Sequence, residues 1–407
     1  MFQLSSIFKD ASEEYIVIPA IRRFASKTPE FNIQSTYAKN DLLGVIEKYA
    51  NKDEEAESQV QNWLDYIVKE GIKEIQLEYR ELENKMEICF CNEKNLHERL
   101  DSCLAPDMIR HICGNNYSGQ EYQFIKYDYS RNANGRVITM YFCKKMLFVE
   151  KKNGATFFRP IDYPIVVEYY LDCSWLCTRW KARSGLFFYC EEGFTTETPT
   201  VSIQKDVQEV VSKVEEILGL QKLISMDNSD KIKRKLFSLL DRYTHTPQEI
   251  SEAMSCEQAS MVSMAQDVMK LCGVSEEVLD PIQEDVNNLV EKYLSIYWPN
   301  VEVFTKDREA YPIHLSAIDE ESSRVDQQAG LNQPLQSRAV FFDNKRMVYQ
   351  QKTCQSIQFI WKRQPNTYSQ ESFPVKIYEN KGKCILKFSK FTAEEDINHV
   401  LFSIINA

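Results

Sequence analysis

Two Asn-Gly dipeptides, Asn134-Gly135 and Asn153-Gly154, punctuate an aromatic and β-branched stretch between positions 121 and 190. Asn-Gly favours the positive φ values that a two-residue hairpin turn requires. Each dipeptide therefore predicts two antiparallel strands folded back on each other. A third hairpin is predicted where Ile165 to Leu171 and Trp175 to Ala182 flank Asp172-Cys173-Ser174. A chain with this segment must build an antiparallel sheet, whatever surrounds it.

Helical periodicity surrounds it. Residues 1–70 read as a helical N-terminal part, in which Val60, Trp63, Leu64, Ile67 and Val68 predict a helix over 53–69, followed by Gly71 as its cap. Ile72 to Tyr79 alternates and predicts a strand, with Met86 to Cys91 as its partner. Leu96 to Leu104 and Met108 to Cys113 suit short helices. Within 205–298, Val207, Val210, Val211, Val214, Ile217 and Leu218 form one apolar stripe. Three further helices follow; the last, about 282–298, carries Val286, Leu289, Val290, Tyr293 and Leu294 on one side. Strands are predicted near 301–304, 311–318, 339–350, 356–363, 373–379 and 384–390. Thr392-Ala393-Glu394-Glu395 reads as a capping box opening a final helix, with Ile397, Val400, Leu401, Ile404 and Ile405 buried. The fold class is α+β: a helical N-terminal part (1–70), an antiparallel β-rich basic region (71–204), an acidic helical middle segment (205–298) and a second β-rich basic region ending in a helix (299–407). The middle segment reads either as an insertion into one β body or as a helical unit between two.

The formal charge of −11 hides a segregation. Residues 122–183 hold 11 basic and 5 acidic side chains, and residues 338–390 hold 11 and 3. Residues 41–110 hold 9 basic and 17 acidic, and residues 184–337 hold 13 and 27. The β regions are thus basic and the helical regions acidic. On a strand, alternate side chains share a face about 6.6 Å apart. Arg179, Lys181 and Arg183 are expected to form one open row, with Lys144, Lys145, Lys362, Arg363, Lys376 and Lys387 on comparable faces. Such faces suit a polyanion, bound through phosphate neutralisation and counterion release. Lysine is also the ordinary solvent-facing residue of a strand, and basic sheets can pair with the acidic helices of the same chain.

Composition limits the remaining classes. With 43% hydrophobic and 12% aromatic residues, the 407-residue chain is too apolar to be mainly disordered. No run of about 18 apolar residues predicts a membrane-spanning helix, and the first thirty residues lack the apolar core of a secretion signal. The twelve cysteines are scattered and read as reduced core thiols in a cytosolic protein. Neither they nor the five histidines have zinc-ligand spacing. No phosphate-binding or dinucleotide-binding glycine loop occurs, and no G-x-S-x-G or H-E-x-x-H. No cofactor is implied.

Two weaker patterns point toward nucleic acid. Residues 246–272 have apolar residues spaced as in a helix-turn-helix, but Ser255 stands where Gly is usual and the second helix lacks cations before Lys270. A helical-bundle turn fits better. Glu168 and Asp172 with Lys181, or Glu379 with Lys381, resemble the acid and acid-x-Lys elements of a metal-dependent nuclease. The leading expectation is a non-catalytic binding subunit of a complex. Its basic sheet faces would contact nucleic acid, and its acidic helices a protein partner or a second copy. The alternatives are a metal-dependent nuclease and an assembly subunit with no nucleic-acid contact.

Overall fold

The computed structural model describes residues 1–9, 15–31, 33, 38–132, 135–152, 155–189, 199–222, 225–318, 324–330, 333–365, 367 and 371–407. In chain order these form α1 (Ser6–Lys9), α2 (Ile18–Lys27), α3 (Lys39–Ala50), α4 (Glu54–Ile67), β1 (Lys73–Leu82), α5 (Asn84–Phe90) and α6 (Glu93–Cys103). There follow β2 (Gln123–Asn132), β3 (Gly135–Lys152), β4 (Ala155–Tyr170), β5 (Trp175–Trp180), β6 (Leu186–Phe188), α7 (Ile203–Leu218) and β7 (Leu220–Lys222). Next come α8 (Ser225–Thr244), α9 (Gln248–Cys256), α10 (Gln258–Cys272), α11 (Leu279–Tyr297), β8 (Ala310–Ile318), β9 (Arg324–Gln328) and α12 (Ala339–Gln351). The last elements are β10 (Ser356–Lys362), β11 (Ser372–Asn380), β12 (Lys383–Phe388) and α13 (Glu394–Ile405). The α+β class is therefore observed, with helical N-terminal residues, antiparallel strands and a C-terminal helix.

The chain divides into two compact units. The first comprises Met1–Asn228, Asn366–Tyr368 and Lys383–His399. Its antiparallel strands run β2-β3-β4-β5-β1-β12, with β6 on β3 and β7 on β1. The long β3–β4 ladder closes at Lys152↔Ala155 and the β2–β3 ladder at Asn132↔Gly135. Asn134 and Asn153-Gly154 themselves lie outside the described residues. The third expected hairpin is present, with Tyr170 paired to Trp175. α4 begins as Asp53 accepts the Ala56 N–H at 2.8 Å, and buries Val60, Leu64 and Ile67. The α7 stripe buries Val207, Val210, Val211, Val214 and Leu218. Both stripes join one apolar cluster with Ile138, Met140, Phe142 and Val167 of the sheet. Each such buried side chain contributes about 1.5–3 kcal/mol.

The second unit comprises Ser229–Pro365, Ser369–Gly382 and Val400–Ala407. Its strands run β11-β10-β8-β9. Tyr243 of α8 packs edge-on against Phe359 and Trp361 of β10. The end of α8 is closed by buried Arg308, which donates to the Tyr243 carbonyl at 2.7 Å and to the His245 carbonyl. Cations suit this helix end because its last carbonyls lack partners. Burial without a carboxylate partner pushes the Arg308 guanidinium down to about 10.

Several expected elements differ. Met86 to Cys91 is mostly α5, because β1 already pairs with β5, β12 and β7. Residues 108–113 form no helix: Asp65 takes the Ile112 N–H at 2.8 Å and Asn115 takes that of Ile109 at 2.7 Å. Val301–Phe304 is a single 3-10 turn. Residues 339–350 are α12, whose Phe341, Phe342 and Val348 are buried at helical spacing. The helix-turn-helix is not formed. Only Glu257 separates α9 from α10, where that motif needs three or four residues. Thr246 donates to Glu291 at 2.6 Å instead of capping α9. Thr392 donates to the Lys390 carbonyl, and the Glu394 N–H is capped by Glu70 at 3.1 Å rather than by a local box. The stripe Ile397, Val400, Leu401, Ile404 and Ile405 is buried as expected.

At the turn end of the β2–β3 hairpin, Gly135 has φ +103°, and a Cβ there would lie 2.5 Å from Asp172 Oδ2. Asp172 also accepts from the Arg136 N–H at 2.7 Å and from its guanidinium at 2.7 and 2.9 Å. Gly135→Ala is expected to destabilise the protein by about 1–3 kcal/mol, read as a lower denaturant midpoint. An unchanged midpoint would show that this end of the sheet yields freely.

Candidate functional site

A buried cluster of charged side chains lies inside the first unit. All six residues of β5 are buried, so this strand has no solvent face. Arg179 therefore turns its guanidinium into the protein, at 2.5 Å from both Glu168 of β4 and Glu394 of α13, and 2.8 Å from Asn398. Lys69 reaches Glu394 at 3.1 Å and Glu168 at 3.8 Å. Tyr170 donates to Glu168 at 3.0 Å. Nearby, Arg23 grips Glu395 with both guanidinium nitrogens, one contact at 3.0 Å, and approaches Glu70 at 3.5 Å. Burial works to raise the Glu394 carboxyl, but Arg179 and Lys69 outweigh it and hold the group below the ordinary carboxylate range. Arg23 does the same for Glu395.

This cluster corrects the expected open row. Arg179 is 1% exposed, and β5 ends at Trp180, before Lys181 and Arg183. Lys181 lies over the Tyr15 ring at 5.1 Å, and buried Lys73 lies over the same ring at 4.7 Å. Arg183 stacks on Phe148 at 3.9 Å. Lys144 is also corrected: it is 1% exposed and paired with Asp206 at 3.3 Å. Lys145 donates to Asn116 at 2.5 Å. Lys362 donates to the Thr305 and Lys306 carbonyls, and Lys387 pairs with Glu74 at 2.8 Å. Arg363 lies over Phe373, while Lys376 is exposed beside Tyr378. Most of these cations thus serve contacts within their own unit.

The acid and acid-x-Lys elements do not converge. Glu168 belongs to the Arg179 cluster, and Asp172 to Arg136. Glu379 accepts from the Gly382 N–H at 2.7 Å, and Lys381 sits in a turn with φ 52°. Among the described residues, no group of three or more His, Cys, Asp or Glu side chains is placed to hold a metal ion. No described helix is long and apolar enough to cross a membrane.

Three surfaces were not foreseen. A cleft of about 790 Å³ runs along α2 and α4, lined by Phe24, Tyr49, Trp63 and Tyr66. Two of its cations are engaged, Arg23 by Glu395 and Lys52 by Glu30. Beside β6, Arg159 and Arg183 both lie over the Phe148 ring, and Phe188 is partly exposed. On α10 and α11 a broad apolar face is exposed: Leu289 is 46% exposed, Tyr293 52%, Tyr297 78% and Leu271 88%. Leu289 and Tyr293 belong to the apolar side read from the sequence, of which only Val286 is buried. The i, i+4 spacing of Tyr293 and Tyr297 was visible in the sequence, but nothing there showed that the outer side of this helix pair lacks a cover. No protein-family model matches the chain, and a search of curated proteins finds no match.

Removing Arg179 would leave the buried carboxylates of Glu168 and Glu394 to share the Lys69 ammonium. Arg179→Met is expected to cost about 3–5 kcal/mol, read by denaturant unfolding; a loss under about 1 kcal/mol would refute the cluster's role. Because Glu394 and Glu395 titrate below their unfolded values, their stabilisation is full above about pH 4.3 and is lost as pH falls through the folded values. Asp162 has the opposite sign. Burial raises it to about 6, against the pull of Lys145 on the paired strand. Its carboxylate destabilises the fold above that pH by up to about 3 kcal/mol. Asp162→Asn should therefore stabilise the protein at pH 8 and lose that advantage near pH 4. A pH-independent difference between the two proteins would rule this out.

Proposed function

We propose that this chain is a binding subunit that docks a basic, amphipathic protein segment on the outer face of α10 and α11. One observation carries the reading: a continuous exposed apolar face on strongly acidic helices. Met264, Val268 and Leu271 recur along one side of α10, and Leu289, Tyr293 and Tyr297 along one side of α11. Two depressions of about 570 and 880 Å³ share Met264 between them. Met261 and Ala265 of α10 pack against Val286 of α11, so the two helices are already held together before any partner arrives. Tyr293 and Tyr297 stack with centroids 6.3 Å apart. Tyrosine anchors and adaptable methionine are common in helix-binding surfaces.

Charge selects the occupant. Residues 248–297 carry ten acidic and two basic side chains; Glu249, Asp285 and Glu291 pair with Lys306, Arg346 and Lys345 from outside the segment and Asp267 with Lys270, so the attraction rests on the other acids, Glu252, Glu257, Glu277, Asp280 and Glu284 among them. A second copy would set like charge against like charge across this face, whereas a basic helix gains attraction and faster encounter. The expected contact buries apolar side chains in the centre and pairs cations with the acidic rim.

A labelled peptide with leucines at helical spacing and lysines elsewhere tests the reading, beside a twin carrying glutamate for lysine. The basic peptide should bind, the acidic twin should not, and Leu271→Asp or Tyr297→Asp should weaken binding at least tenfold, roughly 1.4 kcal/mol. Both positions are largely exposed, so neither change threatens the fold. Equal binding of both peptides, or unchanged binding by the variants, would overturn it. So would sedimentation showing a dimer that these variants dissociate.

A further inference from the structure

The cleft along α2 and α4 in the first unit has a chemistry of its own. Its volume of about 790 Å³ lies in the range of small-molecule sites. Helical spacing lines it with Arg23, Phe24 and Lys27 of α2 and with Gln59, Trp63 and Tyr66 of α4. Trp63 stacks on Phe24 with centroids 4.8 Å apart, and Phe24 leans on Phe31 at 5.2 Å. Phe31 in turn meets Tyr49 edge-on at 5.2 Å. The Tyr49 hydroxyl donates to Gln59 at 2.7 Å. Three lining rings are therefore locked to one another through buried Phe31.

The charge around these rings is negative. The lining holds the carboxylates of Glu30, Asp53, Glu55 and Glu70 against the cations of Arg23, Lys27 and Lys52. Arg23 is held by Glu395 and Glu70, and Lys52 by Glu30 and Asp53. Lys27 acts on Glu395, a fifth carboxylate behind Arg23. Exposed Glu55 has no cation partner among the described residues; it accepts from the Gln59 amide at 3.4 Å. Burial and then Glu30, Asp53 and Glu55 raise the Tyr49 phenol against the opposing charge of Lys52.

We infer that this cleft binds a small organic cation, an alkylammonium or quaternary ammonium group on an apolar body, with the cation against the Tyr49 and Trp63 rings and near Glu55. Aromatic rings attract such cations through the negative charge of their faces, and the apolar body covers the remaining ring surface. An organic anion would meet the uncompensated carboxylate, and a neutral ligand would gain the apolar contact alone. The inference is independent of the α10–α11 reading, because the two sites share no residue.

The test titrates the full chain calorimetrically with benzyltrimethylammonium, benzyl alcohol and phenylacetate, which carry one ring with a positive, a neutral and a negative head. Saturable binding of the ammonium probe is expected, at least about tenfold tighter than either comparison ligand. Tyr49→Leu should weaken it about 2- to 30-fold. Glu55→Gln should weaken it about 1.5- to 5-fold and flatten its salt dependence. Glu55 is exposed, so this second variant keeps the test valid if Tyr49→Leu misfolds. Leu271→Asp should bind the probe as the parent does, which separates failure here from failure of the protein-docking face. Absence of saturable binding, equal or tighter binding of phenylacetate or benzyl alcohol, or unchanged binding by the folded variants would overturn the inference.

Discussion

A guanidinium buried on a strand with no solvent face dictates much of the first unit. Desolvated charge is tolerated only where counter-charge and hydrogen bonds surround it. Arg179 obtains these from Glu168 on the adjacent strand and from Glu394, 215 residues further along the chain. Lys69 then balances the two carboxylates, and Glu70 caps the first turn of α13. The C-terminal helix is thus placed by charge as well as by its apolar stripe. Arg23 and Tyr66, both on the N-terminal helices, close the cluster over Glu395.

The same arrangement explains the charge segregation of the sequence. Lys126 meets Asp65, Arg80 meets Glu215, Lys144 meets Asp206, and Lys387 meets Glu74. In the second unit Lys345 meets Glu291. In the first unit basic strand residues meet acids on helices and on a neighbouring strand, and in the second Lys345 and Glu291 join two helices, so segment charge is a weak guide to external ligands. What reaches solvent is more selective: an apolar face with an acidic surround, and an aromatic cleft lined by carboxylates.

The hairpins of residues 121–190, the α4 and α7 stripes and the buried side of α13 were legible because each rests on neighbours within a few residues. Phe341 and Phe342 misled because aromatic composition resembles a strand when helical spacing is sparse. Met86 to Cys91 misled because the sequence does not reveal that β1 has partners on both edges. Arg179 was the costliest error. Alternation assigns a side chain to one face of a strand, but whether that face meets water depends on segments hundreds of residues away. The cap of α13 was hidden for the same reason: its acceptor, Glu70, lies 324 residues upstream.

The position of β1 has a consequence for biosynthesis. It is held between β5, about one hundred residues later, and β12, about three hundred residues later. At translation rates of roughly 5–20 residues per second, β1 waits roughly 15 to 60 seconds for its last neighbour. During that interval Arg179 and Lys69 lack Glu394, and one edge of β1 is open. A nascent chain of this design has reason to be shielded until residues 383–399 emerge, and truncations within that span should trouble folding out of proportion to their length.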